Sequence, residues 1–201
     1  MPLIESAATI LLLWAVIGYL LGSIPFGLVL TKAMGLGNLR EIGSGNIGTT
    51  NVLRTGSKAA AAATLILDGG KGAAAVLLAR FLAGEDAAQL AGLTAFLGHC
   101  FPVWLKFQGG KGVATFLGLM LALAWPVGIA CCLIWVASAA ISRISSLSAL
   151  IAALSAPLWC YLMGYPSVIL LAVLLTALVF WRHGGNINRL LSGSEPRIGQ
   201  K

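Results

Sequence analysis

Residues 7–30 read AATILLLWAVIGYLLGSIPFGLVL, an apolar run without a single charge. About 20 such residues wound as a helix reach across a bilayer core of about 30 Å. The run lacks the every-second-residue alternation of a barrel strand, so it reads as a transmembrane helix. Glu5 precedes it in place of a basic leader, and no small-residue cleavage site clearly follows, so it reads as a retained first span rather than a signal peptide.

The rest of the chain agrees. Of 201 residues, 59% are hydrophobic and 9% charged, with mean hydropathy +0.94, whereas soluble domains carry about 25% charged residues. This excludes an ordinary soluble core and favours an all-α, polytopic transmembrane bundle forming a single domain over residues 1–201. Apolar runs between polar breaks predict about seven spans, at 7–30, 57–82, 87–103, 113–124, 126–141, 147–163 and 165–181. The fourth is short, and a five-span reading is the alternative.

Charge distribution orients the chain. With the N-terminus outside and the C-terminus cytoplasmic, Lys32, Arg40, Arg54, Lys106, Lys111, Arg143, Arg182, Arg189, Arg197 and Lys201 all fall inside, with Lys58 at the adjoining edge. Arg80, offset by Glu85 and Asp86, falls outside. Five and seven spans give the same orientation. Cys100, Cys131, Cys132 and Cys160 lie in or against apolar segments without a C-x-x-C pair, so they predict buried small hydrophobes, neither a zinc site nor a disulfide framework.

Polar residues gather in a few places. Gly-Gly-Lys-Gly occurs twice, at 69–72 and 109–112, in unlike flanks that argue against duplication. The first copy puts Asp68 and Lys71 inside a span, where charge must face protein or water; a ligand role and a kink with a paired charge are both open. The second opens a helix, where the N–H groups of Gly109, Gly110 and Gly112 together with Lys111 suit an anion. Neither copy is a Walker A loop, because leucine (Leu65, Leu105) stands where its first glycine belongs and glycine (Gly72, Gly112) follows the lysine.

Residues 35–56 form a loop too polar to cross and too glycine-rich for a stable helix. Within it Ser44, Asn46 and Asn51 offer donors, Gly45 and its neighbouring glycines let backbone approach a ligand, and Arg54 offers a bidentate anion clamp; helix capping by Thr50 or Asn51 is the bland alternative. His99 near a helix end reads as a structural residue or a ligand contact. Ser142-Arg143-Ile144-Ser145-Ser146 is a polar break whose arginine suits a headgroup anchor. Residues 182–201 form a basic tail in which His183 and Asn186 share a helix face.

These stretches, in this order, carry a resemblance. The chain resembles the acyl-phosphate-dependent glycerol-3-phosphate acyltransferase family of bacterial membrane proteins. The likeness spans Gly22-Ser23-Ile24-Pro25-Phe26-Gly27, the Ser44-Gly45-Asn46 loop through Arg54, residues 68–72, residues 98–115, and Arg182-His183 through Asn186 to Glu195. Arg143-Ile144-Ser145-Ser146 corresponds to the family's Arg-aromatic-x-Ser pattern with Ser146 as the match, and Gly184-Gly185 replaces a more polar pair.

The resemblance implies transfer of a fatty acyl group from acyl phosphate to the 1-hydroxyl of glycerol 3-phosphate, giving lysophosphatidate and phosphate at the cytoplasmic face of the bacterial inner membrane. It implies site residues Ser44, Asn46, Arg54, Lys111, Ser146, His183 and Asn186, phosphate contacts from Gly45, Gly109, Gly110 and Gly112, and support from Asp68, Lys71 and His99. Neither cofactor nor metal is expected. The expected partners are the two substrates, membrane lipid and, functionally, a soluble enzyme that forms acyl phosphate; nucleic acid is not one. The residues suit direct attack without an acyl-enzyme, since neither a Ser-His-Asp order nor a G-x-S-x-G elbow is evident. The H-x4-D motif of other glycerol-phosphate acyltransferases is also missing: Trp104 and Asn188 stand five residues after His99 and His183. An anion transporter shares broken helices, buried charge and anion-binding glycines, but polar motifs confined to one side argue against it; a non-catalytic scaffold leaves residues 44–54 unexplained.

Overall fold

The computed structural model describes residues 2–199, which leaves Lys201 outside the described residues. The regular structure among them is all helical. The elements are α1 (Ala8–Gly22), α2 (Phe26–Ala33), α3 (Thr49–Leu53), α4 (Lys58–Ala83), α5 (Glu85–Cys100), α6 (Val113–Leu123), α7 (Trp125–Ser142), α8 (Ser145–Leu162), α9 (Ile169–Arg182) and α10 (Gly184–Leu191).

Pro25 has no N–H to continue a helical ladder, so the first apolar run divides into α1 and α2. Lys71 Nζ donates to the Ile24 carbonyl at that break, at 2.7 Å. Helices pack through small residues, as they must where lipid removes the hydrophobic drive between them. Gly18 and Gly22 of α1 bring backbone against Ala91 and Ala95 of α5, and Gly118 of α6 lies directly on Gly69 of α4. Phe96, Phe116, Leu119, Met120, Val127 and Leu175 fill the core between them.

The first Gly-Gly-Lys-Gly copy is not a loop. α4 runs through it without interruption from Lys58 to Ala83, with Gly69 and Gly72 turned to α6. Asp68 and Lys71 form an ion pair of 2.7 Å in which both side chains are buried. At the far end of the bundle Arg80 pairs with Glu85 at 2.7 Å and donates to the Leu123 carbonyl, while Asp86 accepts from the N–H groups of Glu5 and Ser6.

Among the described residues five helices are long and apolar enough to cross a membrane: Ala8–Ala33 taken together, Lys58–Ala83, Glu85–Leu105, Trp125–Ser142 and Ser145–Leu162. The other two expected spans, 113–124 and 165–181, are not equivalent to these. Pro166–Arg182 meets Gly184–Leu191 at a bend of 64°. α6 has 11 residues, about 16 Å of helix at 1.5 Å per residue.

Depth explains the short elements. Asp68 lies ten residues into α4, about 15 Å below its Lys58 end. Thr115 Oγ1, in the first turn of α6, donates to the Asp68 carbonyl at 3.0 Å, and His99, one residue from the end of α5, stands 3.7 Å from Asp68. Arg182, the last residue of α9, reaches the carbonyls of Gly109 and Gly110. The C-terminal ends of α5 and α9 and the N-terminal end of α6 therefore stop at one level, well below the α4 end. The α4 end stands above them, and with Trp135 and Val136 of α7 and Ser145 and Ser146 of α8 along its side the bundle surrounds a basin.

Candidate active site

The rim of the basin is the loop between α2 and α4. Asn51 organises it: 2% exposed, its amide donates to the Leu39 and Asn46 carbonyls at 2.9 and 2.8 Å. Its oxygen accepts from the Ser44 N–H and from Arg54 Nη1 at 3.3 and 3.2 Å. Asn51 is thus an internal brace, while Ser44, Asn46 and Arg54 line the cavity. Gly45 does not line it; its N–H closes a turn onto the Ile42 carbonyl at 2.9 Å. Arg40 bridges the rim to the floor by donating to the Gln108 carbonyl. Thr50 and Ser145 exchange a hydrogen bond of 3.0 Å that ties the rim to α8.

The floor is the second Gly-Gly-Lys-Gly copy. Here the structure corrects the expectation that three glycine N–H groups face an anion. Gly109 N–H donates to the Cys100 carbonyl and Gly110 N–H to the His99 carbonyl, both at 3.0 Å. Those donors are spent on the end of α5. Gly112 does line the cavity, followed by Val113 and Ala114 at the start of α6. Its φ of +82° is open to glycine alone at little cost, and the Phe96 ring occupies the place a Cβ would take. The positive end of α6 is thereby turned to the cavity beside Lys111.

A third group of residues comes from the α7–α8 turn and the tail. Lys111 Nζ donates to Asn186 Oδ1 at 2.5 Å, and the Asn186 amide donates to Glu195 Oε1. The same Oε1 accepts from Ser146 Oγ at 2.7 Å, and Arg189 Nε donates to Oε2 at 2.7 Å. His183 Nδ1 donates to the Val179 carbonyl at 2.8 Å, which in the neutral ring leaves Nε2 as an acceptor. The Ile198 N–H donates to the Arg143 carbonyl at 2.6 Å, so residues 195–199 run along the cavity wall.

The enclosed volume is about 570 Å³. Arg54, Lys111, Arg189 and Arg197 make one part cationic, and Leu65, Leu117, Trp135 and Val136 make another apolar. Burial pushes the Lys111 ammonium down from the ordinary lysine value to about 8; the Glu195 carboxylate opposes this, and the charges of Arg189, Arg182 and Arg54 add to it. Burial pushes the Glu195 carboxyl up, but hydrogen bonds from Ser146, Asn186 and Arg189 and the Arg189 charge outweigh it and hold the group below the usual glutamate value. Asp68 and His99 reach the floor of the cavity, whereas Lys71 is turned away from it to the Ile24 carbonyl. Among the described residues no group of three or more His, Cys, Asp or Glu side chains is placed to hold a metal.

Of the residues singled out in the sequence, Ser44, Asn46, Arg54, Lys111, Gly112, Ser146, His183 and Asn186 meet around this cavity, and Gly45, Gly109 and Gly110 support it from outside. Glu195, which joins three of the cavity's side chains, was not among them. Its signal lies in the cation-rich segments 32–56, 104–112, 142–146 and 182–201, whose acidic residues are Glu41 and Glu195. Arg189, read from the sequence only as part of the basic tail, lines the cavity beside Glu195.

Fold and cavity define a polytopic helical membrane protein whose cavity has both cationic and apolar lining. The glycerol-3-phosphate acyltransferase family model matches residues 12–193. The glycerol-3-phosphate acyltransferase of Ruegeria sp. (strain TM1040) is 73% identical over the whole of both chains, and that of Roseobacter denitrificans 65% identical over 99% of this chain and all of its own. The crystal structure of PlsY (YgiH), an integral membrane glycerol 3-phosphate acyltransferase, in its glycerol 3-phosphate form superposes with a TM-score of 0.89 at 41% identity, covering 94% of this chain and 96% of that one. Its lysophosphatidic acid form superposes at 0.86 with 39% identity, covering 94% and 95%. The chain belongs to the glycerol-3-phosphate acyltransferase family, whose members are integral membrane acyltransferases.

Proposed function

We propose that the chain transfers a fatty acyl group from acyl phosphate to the 1-hydroxyl of glycerol 3-phosphate, at the cytoplasmic face of a bacterial inner membrane crossed seven times with the N-terminus outside. The observation that carries this reading is the continuity of the cavity, whose cationic part opens into an apolar part. Such a cavity suits two phosphate-bearing reactants, one with a long hydrocarbon chain.

An acyl phosphate is a mixed anhydride and needs no covalent nucleophile. The glycerol hydroxyl oxygen attacks the acyl carbon, the carbon–oxygen bond to phosphate breaks, and phosphate leaves with the bonding pair. The hydroxyl proton passes to an oxygen of substrate phosphate; His183 Nε2 is the second candidate. In this reading Arg54 and Lys111 hold phosphate, the start of α6 adds its N–H groups, and Ser44, Asn46 and Ser146 orient the reacting oxygens. The acyl chain lies along Leu65, Leu117, Trp135 and Val136.

The test is purified protein mixed with palmitoyl phosphate and labelled glycerol 3-phosphate, with acyl-CoA and acyl-carrier protein as rival donors. Lysophosphatidate from acyl phosphate alone is expected. Lys111→Ala and Arg54→Ala should insert normally and lose about 10²-fold or more in turnover. Product from another donor, or a serine- or cysteine-linked acyl-enzyme, would overturn the donor or the direct mechanism; anion uptake into liposomes without product would favour a transporter.

A further inference from the structure

Arg182 stands outside the cavity wall, yet its side chain is tied directly to the floor. Its Nε donates to the Gly110 carbonyl at 3.1 Å and its Nη2 to the Gly109 carbonyl at 3.3 Å. Its guanidinium lies 5.0 Å over the Phe101 ring, and Phe101 in turn packs against Trp181 with ring centroids 5.5 Å apart. The amide sides of the same two glycines are held by the Cys100 and His99 carbonyls, and the His99 ring presses on Gly110 where a Cβ would stand.

The floor lies about 15 Å below the α4 end, where irregular backbone survives only if its polar groups are satisfied by protein. A planar fork of donors can hold two adjacent carbonyls at once; an ammonium on a flexible stem cannot hold that geometry. Lys111 follows Gly110 directly. Its ammonium meets Asn186 on α10, four residues past the end of α9.

We infer that Arg182 is a positioning residue: by clamping the carbonyls of Gly109 and Gly110 it sets where the Lys111 ammonium stands in the cavity. The second Gly-Gly-Lys-Gly copy is then a rigid pedestal for one lysine, not a nest of glycine N–H groups around phosphate. The inference rests on Lys111 serving the reaction as proposed above.

The experiment uses the full chain, purified, with Arg182→Lys, Arg182→Gln, Arg182→Ala, Lys111→Ala and the double variant Arg182→Gln/Lys111→Ala. Expected is at least a tenfold loss in kcat/KM for glycerol 3-phosphate in Arg182→Gln, a smaller loss in Arg182→Lys, and an alkaline limb of the pH profile moved upward from its wild-type place. In the Lys111→Ala background, Arg182→Gln should change activity by no more than about twofold, because coupled groups are not additive. If Arg182→Ala does not fold, Arg182→Lys and Arg182→Gln decide the question alone. Wild-type kcat/KM in both overturns the inference, as does loss that is fully additive with Lys111→Ala and leaves the pH limb unmoved. Full activity of Lys111→Ala would instead sink the assignment of Lys111, a result distinct from failure of the Arg182 clamp.

Discussion

At the scale of single residues the cavity is governed by one lysine and one carboxylate among arginines. Burial brings Lys111 down to about pKa 8 in spite of the Glu195 carboxylate, with Arg189, Arg182 and Arg54 adding to the fall, so it is charged below pH 8 and loses its proton as pH rises through that value. An anionic substrate binds the charged form, so kcat/KM for glycerol 3-phosphate should fall above pH 8, by up to about tenfold per unit. The fold itself prefers the neutral lysine, so stability moves the other way, rising between about pH 8 and the ordinary lysine range. A pH profile of initial rates checks the first, and Lys111→Arg, if active, should abolish the limb. Glu195 has the opposite sign: its lowered pKa contributes stability above the unfolded glutamate value, lost as pH falls through the folded one. Glu195→Gln removes the charge that Arg189 meets at 2.7 Å. A hydrogen bond to a charged group contributes about 1.5–3 kcal/mol, so turnover should fall roughly 10- to 100-fold as the ionised acceptor shared by Asn186 and Ser146 becomes a neutral one and Arg189 loses its carboxylate.

At the scale of elements, α4 shows how a motif can mislead. Gly-Gly-Lys-Gly at residues 69–72 and 109–112 is the same string, yet one copy is continuous helix and the other a loop at a helix start. What separates them is context: the first has helix-forming alanine and leucine on both sides, whereas the second follows Pro102 and a stretch in which Lys106 and Phe107 take positive φ. In the first copy the glycines admit α6 to the surface of α4, and the lysine neutralises Asp68 and takes the carbonyl freed near Pro25. Removing one partner of a buried ion pair costs about 3–5 kcal/mol because the other charge is left unpaired. Lys71→Met should therefore lower the temperature at which detergent-solubilised protein inactivates, and Lys71→Met/Asp68→Asn should recover much of that loss. A double variant no more stable than Lys71→Met would show that the pair is not what Lys71 contributes there.

At the scale of the whole molecule, hydropathy made the helices legible because each apolar run is long against its polar breaks, and it located the polar residues at one end because charge is so sparse. The depth of the site was not legible. Residues 98–115 read as a span end, a connector and a span start, and nothing in a hydropathy pattern says that all three lie below the level of Lys58. That information resides in contacts distant in sequence, Thr115 with Asp68 and Arg182 with Gly109 and Gly110, and the same contacts explain why α6 manages with 11 residues: it starts at the floor of the basin. The turn between α8 and α9 and the segment after α10 then lie at opposite ends of the bundle, since α8 begins beside the cavity at Ser145 and ends at Leu162. Ser192 and Met163 are both exposed; Cys100, Cys131 and Cys160 are buried, and Cys132, half-buried on the cavity wall, is replaced by serine for the test. In sealed inside-out vesicles a membrane-impermeant maleimide should label Ser192→Cys and spare Met163→Cys, and intact spheroplasts should show the reverse. Labelling of both from one side would contradict termini on opposite faces, and with them a cavity that draws glycerol 3-phosphate from the cytoplasm while its apolar part lies among the spans.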